Sequence, residues 1–470
     1  MNLRFPFWIL VLLVFFLSSC KKGDRGTHWR EGAFLLNDSR YKPVPYVELE
    51  HPSWTRSATI YEVNIRQFTP EGTFKAFEAH LPRLKEMGID ILWIMPIHPI
   101  GEKKRKGPLG SPYSVRDYYA VNPEFGTLED FKELVDQIHQ LGMHVILDWV
   151  ANHSSPDNIL TEEHPEWYTH DKSGHVQPTP WYDWEDVIDF DYSQPDLRRY
   201  MTEAMKFWVA ETDIDGFRCD AAGFIPLDFW ENTRKELDRI KRVFMLAEWE
   251  SRDLHARAFD MTYAWSLWDR LHRVCTGKDG IGLLQEYIAQ DVNAFPEDGY
   301  RMVFTDNHDK NAWEGNQFTY FGAGIQPAIV LTATVSGMPM VYSGQEAGLD
   351  RSLALFEKDS IPWKPHVHAA LYTQLFRLKH KNPALRNGSE GGVMQQVRHN
   401  QPEKVLAFCR EKSNHRVIPI LNFSADSVVV VLNVPEFSGA YRELFSNKPF
   451  NLSGSYTISL PAWGYKVLYR

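Results

Sequence analysis

Four short segments of the chain carry acids just after apolar runs, and two of them add a histidine: Asp148-Trp-Val-Ala-Asn152-His153, Gly216-Phe-Arg218-Cys-Asp220, Ala247-Glu248-Trp249 and Asp306-Asn-His308-Asp309. In the second, Ile214-Asp215-Gly216 and the apolar residues that follow read as a short strand. On it Arg218 and Asp220 point one way, and Phe217 and Cys219 the other. A lone Arg-x-Asp is more often a structural ion pair. At a strand that ends in a polar pocket, however, the guanidinium keeps the carboxylate ionised, and a fixed, ionised carboxylate can be a nucleophile. Glu248 emerges from the apolar Phe244-Met-Leu-Ala247, a setting that raises a carboxyl pKa and suits a general acid/base. Two carboxylates in opposite protonation states suit cleavage of a glycosidic bond. Asp309 is one acid more than such a pair needs and would grip sugar hydroxyls, to which His153 and His308 can donate hydrogen bonds.

These residues need a scaffold that brings strand ends together. Ala58 to Phe68 carries strand-type residues, and Thr73 can cap a helix through Phe74, Phe77, Leu81 and Leu84. Ile89 to Met95 is a nearly continuous apolar run, the mark of a strand covered on both faces. Thr127 to Asp130 resembles a capping box opening a helix through Phe131, Leu134, Val135, Ile138 and Leu141. Met143 to Asp148 is a third strand, Asp213 to Cys219 a fourth, and Asp228 to Lys241 is helical. Val243 to Ala247, Ala258 to Tyr263, Arg301 to Thr305 and Pro339 to Tyr342 bring the strands to eight. Strand–helix alternation with buried strands predicts a closed (β/α)8 TIM barrel over 54–390, with chemistry at the C-terminal strand ends. Residues 152–195 show no periodicity and read as a small inserted domain B after the third strand. From 391 to 470 short strands replace the alternation, predicting a separate C-terminal all-β sandwich domain.

The composition is 43% hydrophobic and 24% charged, that of a large folded enzyme, and a formal charge of −10 argues against nucleic acid as a partner. Residues 1–20 read as a lipoprotein signal peptide. Arg4 precedes the apolar run Phe7 to Leu17, too short for a stable membrane span. Leu17-Ser-Ser-Cys20 then resembles a bacterial lipobox, with Cys20 as the lipidated residue. Residues 21–53 read as a tether and lead-in. This predicts an exported protein anchored to a bacterial membrane through its N-terminal lipid. The three other cysteines, Cys219, Cys275 and Cys409, are too few and too far apart for a disulfide framework, and no Cys/His metal spacing is present.

On the residues quoted, the chain resembles the alpha-amylase superfamily, glycoside hydrolase family 13, from about Trp54 to the C-terminus. DWVANH (148–153), GFRCD (216–220), the Glu248 strand end and DNHD (306–309) match its signature regions in order. SPYSVRDY (111–118), FGT (125–127), DFDYSQPDLR (189–198) and GMPMVYSGQEAG (337–348) support the match. The resemblance implies a retaining hydrolase of α-glucosidic bonds, foremost α-1,4 bonds in starch or maltodextrin. Asp220 would be the nucleophile, Glu248 the acid/base and Asp309 a binder of the distorted sugar. Arg218, His153 and His308 would surround that sugar, Tyr113 would stack under it, and Asp148 would support the first histidine loop. A retaining pair should lie ~5–5.5 Å apart. No cofactor is implied. The resemblance leaves room for a structural calcium without requiring it: Asn152 and Asp189 match ligating positions, and Phe224, which would add only its carbonyl, does not exclude the site. Where many calcium-binding relatives carry Lys-His, this chain has Gly223-Phe224, which leans toward oligosaccharide-specific, cyclomaltodextrinase-like or transferase members. A non-catalytic glycan-binding protein is the alternative of another class. Trp181, Tyr182, Trp184 and Trp249 are expected as packing residues, and the basic loop Pro99 to Gly110 as a solvated surface.

Overall fold

The computed structural model describes residues 46–470 apart from positions 181 and 183. The expected signal peptide, Cys20 and most of the tether lie outside the described residues, as does Trp181. The lead-in does not run free up to residue 53. Val47 is buried, Glu48 N–H donates to the Ala256 carbonyl at 2.8 Å, and His51 pairs with Asp260 at 2.7 Å, so the chain is docked from Val47 onward.

Eight parallel strands close a barrel: β1 (Ile60–Val63), β2 (Ile91–Ile94), β3 (His144–Trp149), β4 (Gly216–Cys219), β5 (Phe244–Ala247), β6 (Met261–Tyr263), β7 (Tyr300–Phe304) and β8 (Met338–Tyr342). Neighbours follow chain order, and β8 closes on β1 through Ile60↔Met340. All eight are buried except for His144 at the start of β3, as expected of strands with the barrel interior on one face and helices on the other. Two expectations overran. Of Ala58 to Phe68 only Ile60–Val63 is strand, and Ile65–Phe68 is a helical turn. The helix expected from Thr73 is two helices, Phe74–Glu78 and Leu81–Met87, the second with Pro82 in its first turn, where a missing N–H costs nothing. The capping box at Thr127 forms, with reciprocal bonds of 2.7 and 3.1 Å to Asp130.

Between 152 and 195 the chain forms a two-residue antiparallel pair, His153–Ser154 with Ile188–Asp189, and two short helical turns. From Val393 a six-stranded and a three-stranded sheet face each other. They have an apolar core of their own and pack closely on the barrel, so that Val47–Arg470 is one compact unit. Strand His415–Asn422 shows why. Ile418 and Ile420 face the sandwich core, while Val417 and Leu421 join the apolar core of the barrel. Alternation thus buries both faces. Arg410 seals the junction, its buried guanidinium donating to the carbonyls of Arg386 (2.8 Å), Gly392 (2.9 Å) and Val335 (2.9 Å). Cys219, Cys275 and Cys409 are buried free thiols, and no helix among the described residues is long and apolar enough to cross a membrane.

Candidate active site

The C-terminal strand ends open into a cleft of about 980 Å³. Its floor is built on Arg218, fully buried in β4. One nitrogen, Nη1, donates to Asp148 Oδ1 and to Asp220 Oδ1, both at 2.8 Å. Nη2 lies 3.0 Å from Glu248 Oε2 as an ion pair without hydrogen-bond alignment, and Nε donates to the Tyr263 hydroxyl at 3.2 Å. The indole of Trp93 covers the guanidinium at 5.0 Å. Burial opposes this cation, but the charges of Asp148 and Glu248 outweigh it and hold its pKa well above the ordinary value. One fixed fork therefore sets the spacing of the two candidate catalytic carboxylates.

Asp220 and Glu248 each stand one residue beyond their strand, so both reach past the barrel rim. Ala221, at φ 44°, is in the left-handed region that a side chain rarely adopts. That turn aims its N–H at Glu248 Oε2, 2.7 Å away. Burial pushes the Glu248 carboxyl up to about 8; Arg218 opposes the shift, and the charges of Asp220 and Asp309 reinforce it. The side chain is 19% exposed and lines the cleft. A protonated Glu248 beside Asp220 is the arrangement that general acid catalysis requires.

His308 opens the helix His308–Trp313 after β7. Its Nδ1 bonds the buried Glu62 carboxylate of β1, and its Nε2 lies 2.8 Å from the Tyr113 hydroxyl and 3.3 Å from Asp309 Oδ1. Burial disfavours the imidazolium, but Asp309 and Glu62 on either side outweigh it, so His308 is held protonated. Against the same opposing burial, His308 holds Asp309 below its ordinary pKa. The protonated ring donates from both nitrogens. Tyr113 accepts from it and donates to Asp148 Oδ2 at 3.1 Å. Hydrogen bonds thus run without a break from Glu62 through His308, Tyr113, Asp148 and Arg218 to Asp220. Asp148 serves here as the acceptor that ties Tyr113, Trp93 and Arg218 together, a larger part than supporting one loop. His153, buried and held neutral by burial, faces the cleft beside Trp184 at 5.6 Å.

The cleft walls correct two expectations. Tyr182, Trp184 and Trp249 line the cleft rather than the core. Trp184 stacks on Tyr182 at 4.2 Å, Tyr182 meets Phe224 at 5.7 Å, and Phe224 meets Trp249 at 5.2 Å. This is a continuous aromatic wall, and three of its members are more than a third exposed. Loops, which have no buried periodicity, hold it together. The basic loop is exposed at Lys103 and Lys104, but Lys106 lines the cleft and pairs with Asp186 at 3.0 Å. Gly223 explains its own presence: a Cβ there would lie 2.1 Å from the Trp249 indole.

The expected calcium ligands satisfy one another. Asn152 Nδ2 donates to Thr179 Oγ1 at 2.9 Å and to Asp189 Oδ1 at 3.1 Å, and Thr179 donates to the same Asp189 oxygen at 3.0 Å. No step below involves a metal.

A family model described as "Alpha amylase, catalytic domain" matches residues 53–388. The chain belongs to the alpha-amylase family. Residues 394–467 match the C-terminal domain of maltogenic amylases. The crystal structure of a noncanonic maltogenic alpha-amylase, AmyB, from Thermotoga neapolitana superposes with a TM-score of 0.80 at 32% identity, over 88% of this chain and 98% of that one. An alpha-amylase from Lactobacillus plantarum gives 0.79 at 30%, over 89% and 100%. Among sequence relatives, the alpha-amylase MalA of Haloarcula japonica is 26% identical over 414 residues, which are 83% of this chain; the chain spans only 60% of that relative's length. Within this alpha-amylase fold, reading strand ends missed Glu62, Trp93 and Tyr263 on the barrel floor and Trp265, Trp313 and Phe356 on the cleft walls. Glu62 had a signal, a single acid inside the apolar β1. The cleft aromatics had none.

Proposed function

We propose that the protein is a retaining glycoside hydrolase that cleaves α-glucosidic bonds, foremost α-1,4, in starch, maltodextrin or related α-glucans. The observation that carries this reading is the Arg218 fork, which holds Asp220 and a Glu248 pushed up to about 8 in one cleft. Asp220 attacks the anomeric carbon as Glu248 gives its proton to the departing glycosidic oxygen. The bond to the leaving sugar breaks and a glycosyl ester on Asp220 forms. Glu248, now a carboxylate, takes a proton from water, which attacks the same carbon and frees Asp220. Two inversions leave the α-anomer. The charged Asp309 and the donors His308 and His153 suit the hydroxyls of the sugar being distorted, bonds that strengthen in the transition state.

The aromatic wall favours a second reading within the family. Trp249 follows the proton donor, so the wall flanks the leaving-group side, where stacking retains a sugar acceptor as readily as it binds a long chain. That suits short or cyclic maltodextrins and transfer. Relatives include a cyclomaltodextrinase of a Bacillus species at 24% identity and a cyclomaltodextrin glucanotransferase of Klebsiella oxytoca at 26%. Product analysis decides between the two. Early α-anomeric maltodextrins from starch support the polysaccharide reading, and preference for panose or a cyclodextrin supports the second. No turnover of any of these overturns both and leaves a glycan-binding protein. Residues 4–20 support export and a lipid anchor at Cys20; Cys20→Ala is expected to release the protein from membranes, and unchanged membrane fractionation refutes the anchor.

A further inference from the structure

Opposite the cleft, at the N-terminal ends of the strands, His139, His144 and Asp215 stand together. Each reaches the spot from a different element: the last turn of the helix Leu128–Gln140, the first residue of β3, and the residue before β4. Their ligating atoms all lie within 4.8 Å of one another, and among the described residues they are the only His/Cys/Asp/Glu group so placed. His139 Nε2 is 2.8 Å from Asp215 Oδ2, and His144 Nδ1 is 3.5 Å from Asp215 Oδ1.

We propose that these three residues form a binding site for a borderline divalent cation of the Zn²⁺ type. Two imidazole nitrogens and one carboxylate oxygen are the donor set such ions prefer over calcium or magnesium. Four observations support it. The His144 Nδ1 atom is buried and makes no hydrogen bond, although its acceptor neighbour is within reach. Its ring is fixed by Trp54, stacked at 3.8 Å and 11°. Asp215 is rigid: Oδ2 accepts the Val145 N–H at 2.9 Å, and its backbone joins β3 and β5 through bonds of 2.7 Å to Val145 and Phe244. The second nitrogen of His139 lies 3.6 Å from Asp213 Oδ2, the outer carboxylate that metal-binding histidines commonly have. Both histidines are about a quarter exposed, so the ion has a way in.

Lys241 is the competitor. Its Nζ lies 3.1 Å from Asp215 Oδ1, but it also donates to the Asp213 carbonyl (2.8 Å) and Oδ1 (2.7 Å), so it keeps two acceptors when the ion takes the third. The bound ion would clamp a helix end to two strand starts on the stability face of the barrel.

The test is titration of the chelator-treated full chain with Zn²⁺ by calorimetry, and with Co²⁺ followed by its visible absorption, alongside His139→Ala and His144→Ala. Asp215 is left intact because it also serves the β3 backbone. One saturable equivalent is expected, with a Tm raised by a few degrees, as for any ligand that binds only the folded state. Both variants should lose that equivalent and the Tm rise, while keeping α-glucan hydrolysis. No saturable uptake by the parent protein, or unchanged stoichiometry in either variant, overturns the site.

Discussion

Glu248→Gln should destroy catalysis and, increasingly from about pH 4.5 to about pH 8, make the protein more stable. The Glu248 carboxyl is carried from an ordinary 4.5 to about 8, chiefly by burial. Its folded pKa therefore exceeds its unfolded one, and between those two values the native state holds a proton that the unfolded chain has released. Stability tied to this group is complete below pH 4.5 and is lost progressively as pH rises from there through about 8. Glutamine imitates the neutral acid at every pH and can still accept the Ala221 N–H. At ~1.4 kcal/mol per pH unit, the full span sets a ceiling of ~5 kcal/mol on the variant's advantage. The carboxyl is 19% exposed and its charge is shared with Asp220 and Asp309, so ~2–4 kcal/mol is expected above pH 8. Over roughly 420 residues, unfolding entropy near ~2 cal/mol/K per residue makes this a Tm gain of ~2–4 °C.

The assay is thermal unfolding of both proteins from pH 5 to pH 9, beside the pH profile of wild-type kcat/KM. The Tm difference should grow from near zero at pH 5 and level off above about pH 8, where the alkaline limb of kcat/KM, which reports the free enzyme's acid, should fall. A Tm difference independent of pH, or a variant less stable than wild type at pH 9, refutes the claim that burial holds Glu248 protonated.

Asp220→Asn should lower kcat by ~10³-fold or more and leave a folded protein; near-normal turnover refutes its role as nucleophile. Trp249→Ala should raise KM for maltoheptaose ~5- to 10-fold, the worth of one stacking platform. Gly223→Ala should do nearly the same, because its new methyl displaces that indole; a wild-type KM in Gly223→Ala would show that the indole does not hold the sugar. Arg410→Met leaves buried carbonyls unpaired and should cost ~2–5 kcal/mol of stability, read as a lower Tm, with kcat unchanged in the folded fraction; an unchanged Tm refutes the seal between barrel and sandwich.

What could be read from sequence is what the chain encodes locally. Asp148, Arg218, Asp220, Glu248 and Asp309 stand at or just past the ends of apolar strands, and strand plus acid is a pattern visible within ten residues. Glu62 was legible in the same way, as one acid in Ile60–Val63, but its meaning was not: only barrel closure brings β1 to His308. The C-terminal sandwich was legible as a run of short strands, but its seating was not: only the packed structure shows Val417 and Leu421 of the strand His415–Asn422 facing the barrel. The aromatic wall had no local signature at all. Trp230 and Trp249 are both loop-or-helix tryptophans of the same barrel; one is wholly buried and the other 36% exposed, and the difference lies in which loops meet above them. Gly223 is the exception that shows the rule: its missing side chain is intelligible only beside the Trp249 indole it makes room for. The carboxylates proposed to break the bond are thus fixed by short stretches of sequence, while the aromatic wall proposed to select the glucan is made where distant loops converge. The linkage preference of this enzyme should therefore shift with substitutions at Phe224, Tyr182 and Gly223 that leave Asp220 and Glu248 in place.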